Sequence, residues 1–190
     1  NPGDAKYADK NNDGIVDGND KIRTGYGNRP EYVFGLNAGL NWKGLNFSMQ
    51  WSAATHVDRL MNAATYRIPF TNAGGRGLLK YFYEDCWTEE NRNGTLPRAA
   101  ETSEAWNSED STLWLRDASY IRLKTIQIGY NFSGYGALDK VGIKSIGLSL
   151  SGYNLLTFSP LKFMDPEAMP SVTSDYPLVK IYSLGLNITF

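Results

Sequence analysis

The stretch Tyr32-Val33-Phe34-Gly35-Leu36-Asn37-Ala38-Gly39-Leu40-Asn41-Trp42 leads through Lys43-Gly44 into Leu45-Asn46-Phe47-Ser48-Met49-Gln50-Trp51-Ser52-Ala53. Large apolar residues hold every second place, with Asn, Ser, Gly and Gln between them. Strict period two describes a strand with one apolar and one polar face. The final residues repeat it: Tyr182, Leu184, Leu186, Ile188 and Phe190 alternate with Ser183, Gly185, Asn187 and Thr189. Two further segments are noisier. Ile146, Leu148 and Leu150 alternate with Gly147, Ser149 and Ser151. In Ser119–Phe132, Ile126, Ile128, Tyr130 and Phe132 share one parity while Ile121 and Leu123 hold the other.

The connections alternate in length. Read backward from the C-terminus they are long (about Thr157–Leu178), medium (about Ser133–Lys144), very long (about Thr55–Leu115) and very short (Lys43-Gly44). Another long polar stretch, Asn1–Pro30, precedes the first strand. One end of the sheet thus carries large loops and the other carries turns, as in outer-membrane barrels. Within the longest loop Leu78, Leu79, Phe82, Tyr83 and Cys86 recur at helical spacing, predicting a short amphipathic helix at about Gly75–Trp87.

Alternation alone fits a soluble sandwich as well as a membrane barrel. Three details favour the membrane. The polar face is Asn, Ser, Gly, Gln and Thr, not the Lys and Glu of a solvated outer surface. With a periplasmic C-terminus, Trp42, Tyr130, Phe132 and Phe190 fall at the periplasmic end and Tyr32, Phe34, Trp51 and Tyr182 at the external end, as two interfacial girdles. Nine residues at about 3.3 Å each, tilted by about 40°, rise roughly 23 Å, close to the apolar band of a barrel. The fold expected is all-β: a transmembrane antiparallel β-barrel segment with long extracellular loops. The parity switch in Ser119–Phe132 fits either a bulge near Thr125 or a strand leaving the membrane at its upper end.

Composition agrees. Across 190 residues, 19 Lys and Arg stand against 20 Asp and Glu, so there is no broad basic surface and nucleic acid is not expected as a partner. A single cysteine, Cys86, excludes an internal disulfide framework. No apolar run reaches the roughly 18 residues of a transmembrane helix, which leaves barrel strands untouched. Asn1-Pro2-Gly3 has neither Met nor a signal segment, so a piece of a longer chain is expected. Five strands do not close a barrel, and edge strands bare in lipid are costly, so further strands are expected to complete it.

The turn Asp9-Lys10-Asn11-Asn12-Asp13-Gly14-Ile15-Val16-Asp17-Gly18-Asn19-Asp20 follows the D-x-N-x-D-G-x5-[D/E] template of a calcium loop. Asp9, Asn11 and Asp13 supply oxygens at positions one, three and five, the Ile15 carbonyl at seven, Asp17 at nine and Asp20 at twelve. The expectation is a structural Ca²⁺ ion. The other reading is a solvated Asp/Asn/Gly turn without metal. Asp at the last position, where the EF-hand has Glu, and the lack of helical flanks depart from that motif.

No enzyme is expected. The only histidine, His56, has Asp58 two residues on, and no nucleophile–base–orienter set can be assembled around it. Glu84-Asp85 and Glu89-Glu90 read as the solvated side of the helical stripe.

Several blocks, in order, resemble the C-terminal portion of a SusC/RagA-type TonB-dependent outer-membrane transporter. They are Pro2-Gly3-Asp4 with Tyr7-Ala8-Asp9, Pro30-Glu31-Tyr32-Val33-Phe34-Gly35-Leu36, Cys86-Trp87-Thr88-Glu89-Glu90-Asn91 and Asp117-Ala118-Ser119-Tyr120-Ile121-Arg122-Leu123-Lys124. Ser151–Phe158, Met164-Asp165-Pro166-Glu167 and Tyr182–Phe190 follow. The resemblance implies the last five strands of a plugged barrel of about 22 strands. It implies import of glycans or peptides driven through the TonB complex, with a SusD-like surface lipoprotein as lid. The plug and the remaining barrel of the same transporter would be partners, as would outer-membrane lipid. Phe190 resembles the assembly signal of such barrels.

On this reading residues 1–30 are an extracellular loop with the acidic turn and 31–54 the first strand hairpin. Residues 55–118 are a long extracellular loop with a short helix, 119–155 a strand pair with a periplasmic turn, 156–178 an extracellular loop and 179–190 the C-terminal strand. Trp106, Trp114 and Tyr66 are candidates for cargo or lid contacts, or simply pack the loop. Substrate-binding residues stay unassigned. The alternative is a soluble Ca²⁺-stabilised extracellular β module whose Trp and Tyr stack on carbohydrate.

Overall fold

The computed structural model describes residues 1–61, 67, 80–99, 105–134, 136, 140–168 and 178–190. The chain divides into two compact units. One is a strand unit of Pro30–Val57, Ala118–Pro166 and Tyr176–Phe190. The other is a loop unit of Asn1–Arg29, Asp58–Asp117 and Glu167–Asp175.

In chain order the elements are β1 (Tyr32–Trp42), β2 (Leu45–Thr55), β3 (Asp58–Leu60), the short helix α1 (Lys80–Asp85), β4 (Leu115–Asp117), β5 (Tyr120–Ser133), β6 (Ser145–Phe158) and β7 (Ile181–Thr189). Five of the strands form one antiparallel sheet in the order β1-β2-β5-β6-β7. It is an open segment of sheet, with β1 and β7 at its edges.

Lys43 and Gly44 have φ of +46° and +89°, the left-handed pair of a turn whose twist matches its strands. That turn sets β1 and β2 in unbroken register from Trp42 opposite Leu45 to Tyr32 opposite Thr55. The parity switch in β5 is a bulge. Gln50 faces Thr125 and Trp51 faces Leu123, so Lys124 has no counterpart on β2. On the other side Thr125 faces Tyr153 and Leu123 faces Leu156, and Asn154 on β6 has a φ of +53°. One extra residue returns Ile121 and Leu123 to the face of Ile126 and Ile128.

The loop end of the strand unit carries a small core. Val57, Ala118 and Leu161 are buried together, with Phe163 and Met164 packed against them. Ala118 N–H donates to Val57 O at 2.9 Å.

The loop unit buries Met61, Phe82, Cys86, Leu96 and Trp114. Its strands β3 and β4 form a separate antiparallel pair. Among the described residues α1 covers only the second half of the expected helix, and Leu78 and Leu79 lie outside them. Phe82 and Cys86, one turn apart, point inward, whereas Tyr83 is exposed.

Candidate functional site: a two-faced strand wall and an acidic turn

Directly opposed residues of an antiparallel pair share a face, so the register fixes the two surfaces of the sheet. One row runs Leu40, Phe47, Ile128, Leu150, Leu184. The next runs Trp42, Leu45, Tyr130, Leu148, Leu186, and Leu36, Trp51, Leu123 and Leu156 form another. The reverse face carries Asn41, Asn46, Gly129, Ser149, Gly185 and then Gly39, Ser48, Gln127, Ser151, Ser183. The apolar side is open over most of its extent, with Leu36 58% and Leu186 63% exposed. Contiguous apolar exposure on this scale marks a surface made for an apolar medium or partner.

Aromatic residues collect at the turn end. Trp42 and Tyr130 share a row, Tyr130 meets Phe132 edge-on at 4.6 Å between ring centroids, and Lys43 Nζ lies 5.4 Å from the Trp42 ring. Phe190 follows Thr189, whose carbonyl accepts Lys144 N–H at 2.8 Å, and its side chain is exposed. At the loop end Tyr32 stacks with Phe34 at 6.4 Å. Trp51 and Tyr182 sit further from that end, beside Leu36 and opposite Gly152. For Tyr182 the cause is stagger: β7 begins at Ile181, opposite Tyr153, leaving Asn154–Phe158 of β6 to overhang. Strand tilt in a barrel produces such a stagger.

Arg122 lies on the polar side with Ser52 and Thr157. Its Nε donates to Thr157 Oγ1 at 3.0 Å, its Nη2 to Asp165 Oδ2 at 2.6 Å, and its guanidinium sits 5.3 Å from the Tyr120 ring. Neither alternation nor loop length signals this pair.

In the acidic turn the side chains serve the turn's own amides. Asp9 accepts from Asn12 N at 2.5 Å and Gly14 N at 2.8 Å, and Asp13 accepts from Ile15 N at 2.8 Å. Asp17 caps Asn19 N at 2.7 Å while Asp20 accepts from Asp17 N at 2.9 Å and Lys10 N at 2.6 Å. The Asp17 and Lys10 amides hold the Asp20 carboxyl below its usual range. Asn11 Oδ1 accepts from Asp13 N at 2.8 Å. Among the described residues, which include the whole turn, no three Asp, Glu, His or Cys side chains gather as a metal set. Ile15 is exposed. As arranged, the donors face amides and do not surround an ion.

The other sequence candidates separate clearly. Trp114 is buried, its Nε1 donating to Asn107 O at 2.8 Å. Trp106 is half exposed and meets Tyr7 edge-on at 4.9 Å. Tyr66 lies outside the described residues. His56 Nδ1 lies 3.1 Å from Glu31 Oε2, and Asp58 accepts from Tyr26 N at 2.6 Å.

No protein-family model matches the chain. It is 33% identical to TonB-dependent receptor P26 of Formosa agariphila over 99% of its own length and 20% of that receptor. In sequence and fold it corresponds to the C-terminal portion of a SusC/RagA-type TonB-dependent receptor. TonB-dependent receptor P3 of the same organism is 28% identical over 100% of this chain and 19% of the relative. The chain therefore spans about a fifth of the length of the curated relatives it matches. Among solved structures, the RagAB peptide transporter superposes with a TM-score of 0.71 at 23% identity, over 93% of this chain and 19% of that one. The RagAB peptide importer in its closed-closed state gives 0.65 at 22% identity, over 94% and 20%. These likenesses show the fold. The relatives are receptors and transporters, not enzymes, and the chain is read likewise.

The blocks that carry the family resemblance have structural work here. Asp4 takes Arg98 Nε at 2.7 Å and Asn107 Nδ2 at 3.0 Å. Gly3 O accepts Arg98 N at 2.8 Å. Asn91 Nδ2 caps Glu84 O and Cys86 O at 3.2 and 3.1 Å, closing the Cys86–Asn91 turn.

Proposed function

We propose that this chain is wall and loop of a TonB-dependent outer-membrane importer of glycans or peptides that works with a SusD-like surface lipoprotein. The observation that carries the reading is the two-faced sheet. Leu36, Leu40, Leu184, Leu186 and their row-mates form one largely open apolar surface, backed by a surface of Asn, Ser, Gln and Gly that also carries Arg122. Lipid suits the first and a wet lumen the second. Edge strands β1 and β7 are completed by the rest of the barrel, since an open edge is not tolerated in hydrocarbon. The plug belongs to the same transporter, and the TonB complex acts through parts of it other than this segment. The C-terminus faces the periplasm, and Phe190 serves as the assembly signal. RagAB, which shares the fold, is a peptide transporter, and this favours peptide as cargo while leaving glycan open.

The test is accessibility of nitroxides placed at Leu36 and Leu186 against Asn37 and Asn187 in the reconstituted transporter. The leucine sites should be reached by oxygen and shielded from a water-soluble nickel reagent, with the reverse at the asparagines. Equal water access at all four overturns the reading.

A separate proposal concerns Asp9, Asn11, Asp13, Ile15, Asp17 and Asp20: the turn takes one Ca²⁺ as a structural ion. The D-x-N-x-D-G spacing supports it, as does Gly14 at φ +83°, which lets the chain reverse between ligand positions. Binding would require the carboxylates to swing from their amides toward a common centre.

A further inference from the structure

At the loop end of the sheet the pattern of exposure inverts. Ala54, Tyr120 and Arg122 belong to the polar face by register, yet all are buried, Arg122 to 1%. Ile121, between two of them on the apolar face, is 50% exposed, and Phe158 opposite it is exposed as well. The chain that leaves β6 reaches this side through Asp165. Leu161 is buried against Val57 and Ala118, with Phe163 and Met164 packed on the same cluster. Asp165 then reaches Arg122 at 2.6 Å, and Ser159 Oγ accepts Leu161 N at 3.1 Å to turn the chain.

We propose that residues 159–166 form a strap folded across the polar face of the wall, and that Arg122 is the positioning residue that latches it there through Asp165. The assignment rests on reading the polar face as the lumen side, where such a strap narrows the mouth of the barrel. Thr157 and the Tyr120 ring fix the guanidinium, so the latch has one geometry. Taking a carboxylate away from so buried a guanidinium is disfavoured, which ties the strap to the arginine.

Hydrogen-exchange mass spectrometry on the whole detergent-solubilised transporter tests this. Asp165→Asn and Arg122→Gln should each speed exchange in a peptide covering residues 159–166 by about tenfold or more, as expected when a local opening loses a buried ion pair. Peptides from β1 and β7 should be unchanged, which separates release from misfolding. The exchanged pair Arg122→Asp with Asp165→Arg should restore slow exchange in the strap, which a merely bulky residue at 122 would not. Unchanged exchange in Asp165→Asn, or no rescue by the exchanged pair, overturns the latch. The nitroxide test of Leu36 and Leu186 is independent of this readout, so failure of the latch and failure of the barrel reading are distinguishable.

Discussion

The carbonyl of Gly44 accepts the amide of Asn131 at 2.8 Å, tying the β1–β2 turn to the neighbouring strand β5. A Cβ on Gly44 would lie 2.7 Å from the carbonyl oxygen of Asn131, and the glycine φ is +89°. A side chain here meets both a strained backbone and fixed backbone atoms. Gly44→Val should therefore destabilise the sheet by about 1–3 kcal/mol. A lowered midpoint in denaturant is the measurement, and Gly134→Val, at a φ of +73° but with open space around it, separates the backbone strain from the contact with Asn131.

Charge on the two faces should act oppositely. Leu36→Arg or Leu186→Arg places a cation in the proposed lipid band and should cost about 2–4 kcal/mol near its middle. Asn37→Arg or Asn187→Arg, one residue away, should be nearly neutral. Folding titrations into lipid vesicles would read the difference, and equal penalties on both faces would contradict the face assignment.

Calorimetric titration of EDTA-stripped protein with Ca²⁺ should show one site and Asp13→Ala should abolish it, because Asp13 occupies a central ligand position of the turn. A flat titration of the unmutated protein rules the ion out.

Burial raises the Asp4 carboxyl, but hydrogen bonds from Asn107 and Arg98, with the Arg98 charge, are among the effects that outweigh it and hold the group below the usual carboxylate range. A folded value below the unfolded one contributes stability above the unfolded value, and that contribution is lost as pH falls from about 4 toward the folded value. Thermal melts between about pH 6 and 2 should show the loss, and Asp4→Asn should flatten its dependence on pH.

Burial pushes the Cys86 thiol up, and the nearby Asp85 charge adds to it against a local backbone hydrogen bond. Thiolate is the reactive form, so native protein at pH 7 should react slowly with a disulfide reagent and denatured protein fast. Comparable rates would mean the Cys86 site opens readily.

Much of the strand architecture was legible in the residues themselves. Leu36 and Leu40 sit four apart and Leu184 and Leu186 two, and a pleated strand turns such even spacing into one face without help from the rest of the chain. Leu78 and Leu79, part of the expected helix, lie outside the described residues, whereas Phe82 and Cys86 point inward as their spacing implies. The Asp9–Asp20 spacing was equally plain, but spacing does not say whether a carboxylate turns to an ion or to an amide.

Sequence by itself determined the period of the strands, the short turn at Lys43-Gly44 and the division of the chain into wall and loops, because these follow from contacts along a few neighbouring residues. Only the tertiary structure decided that Lys124 is the extra residue against β2 and that β6 carries the extra residue against β5, since a bulge is defined by what faces it. It alone placed Arg122 on the polar face and beside Asp165, 43 positions away. A pairing over that separation is set by the path of the loop between them, and no local preference of either residue encodes it.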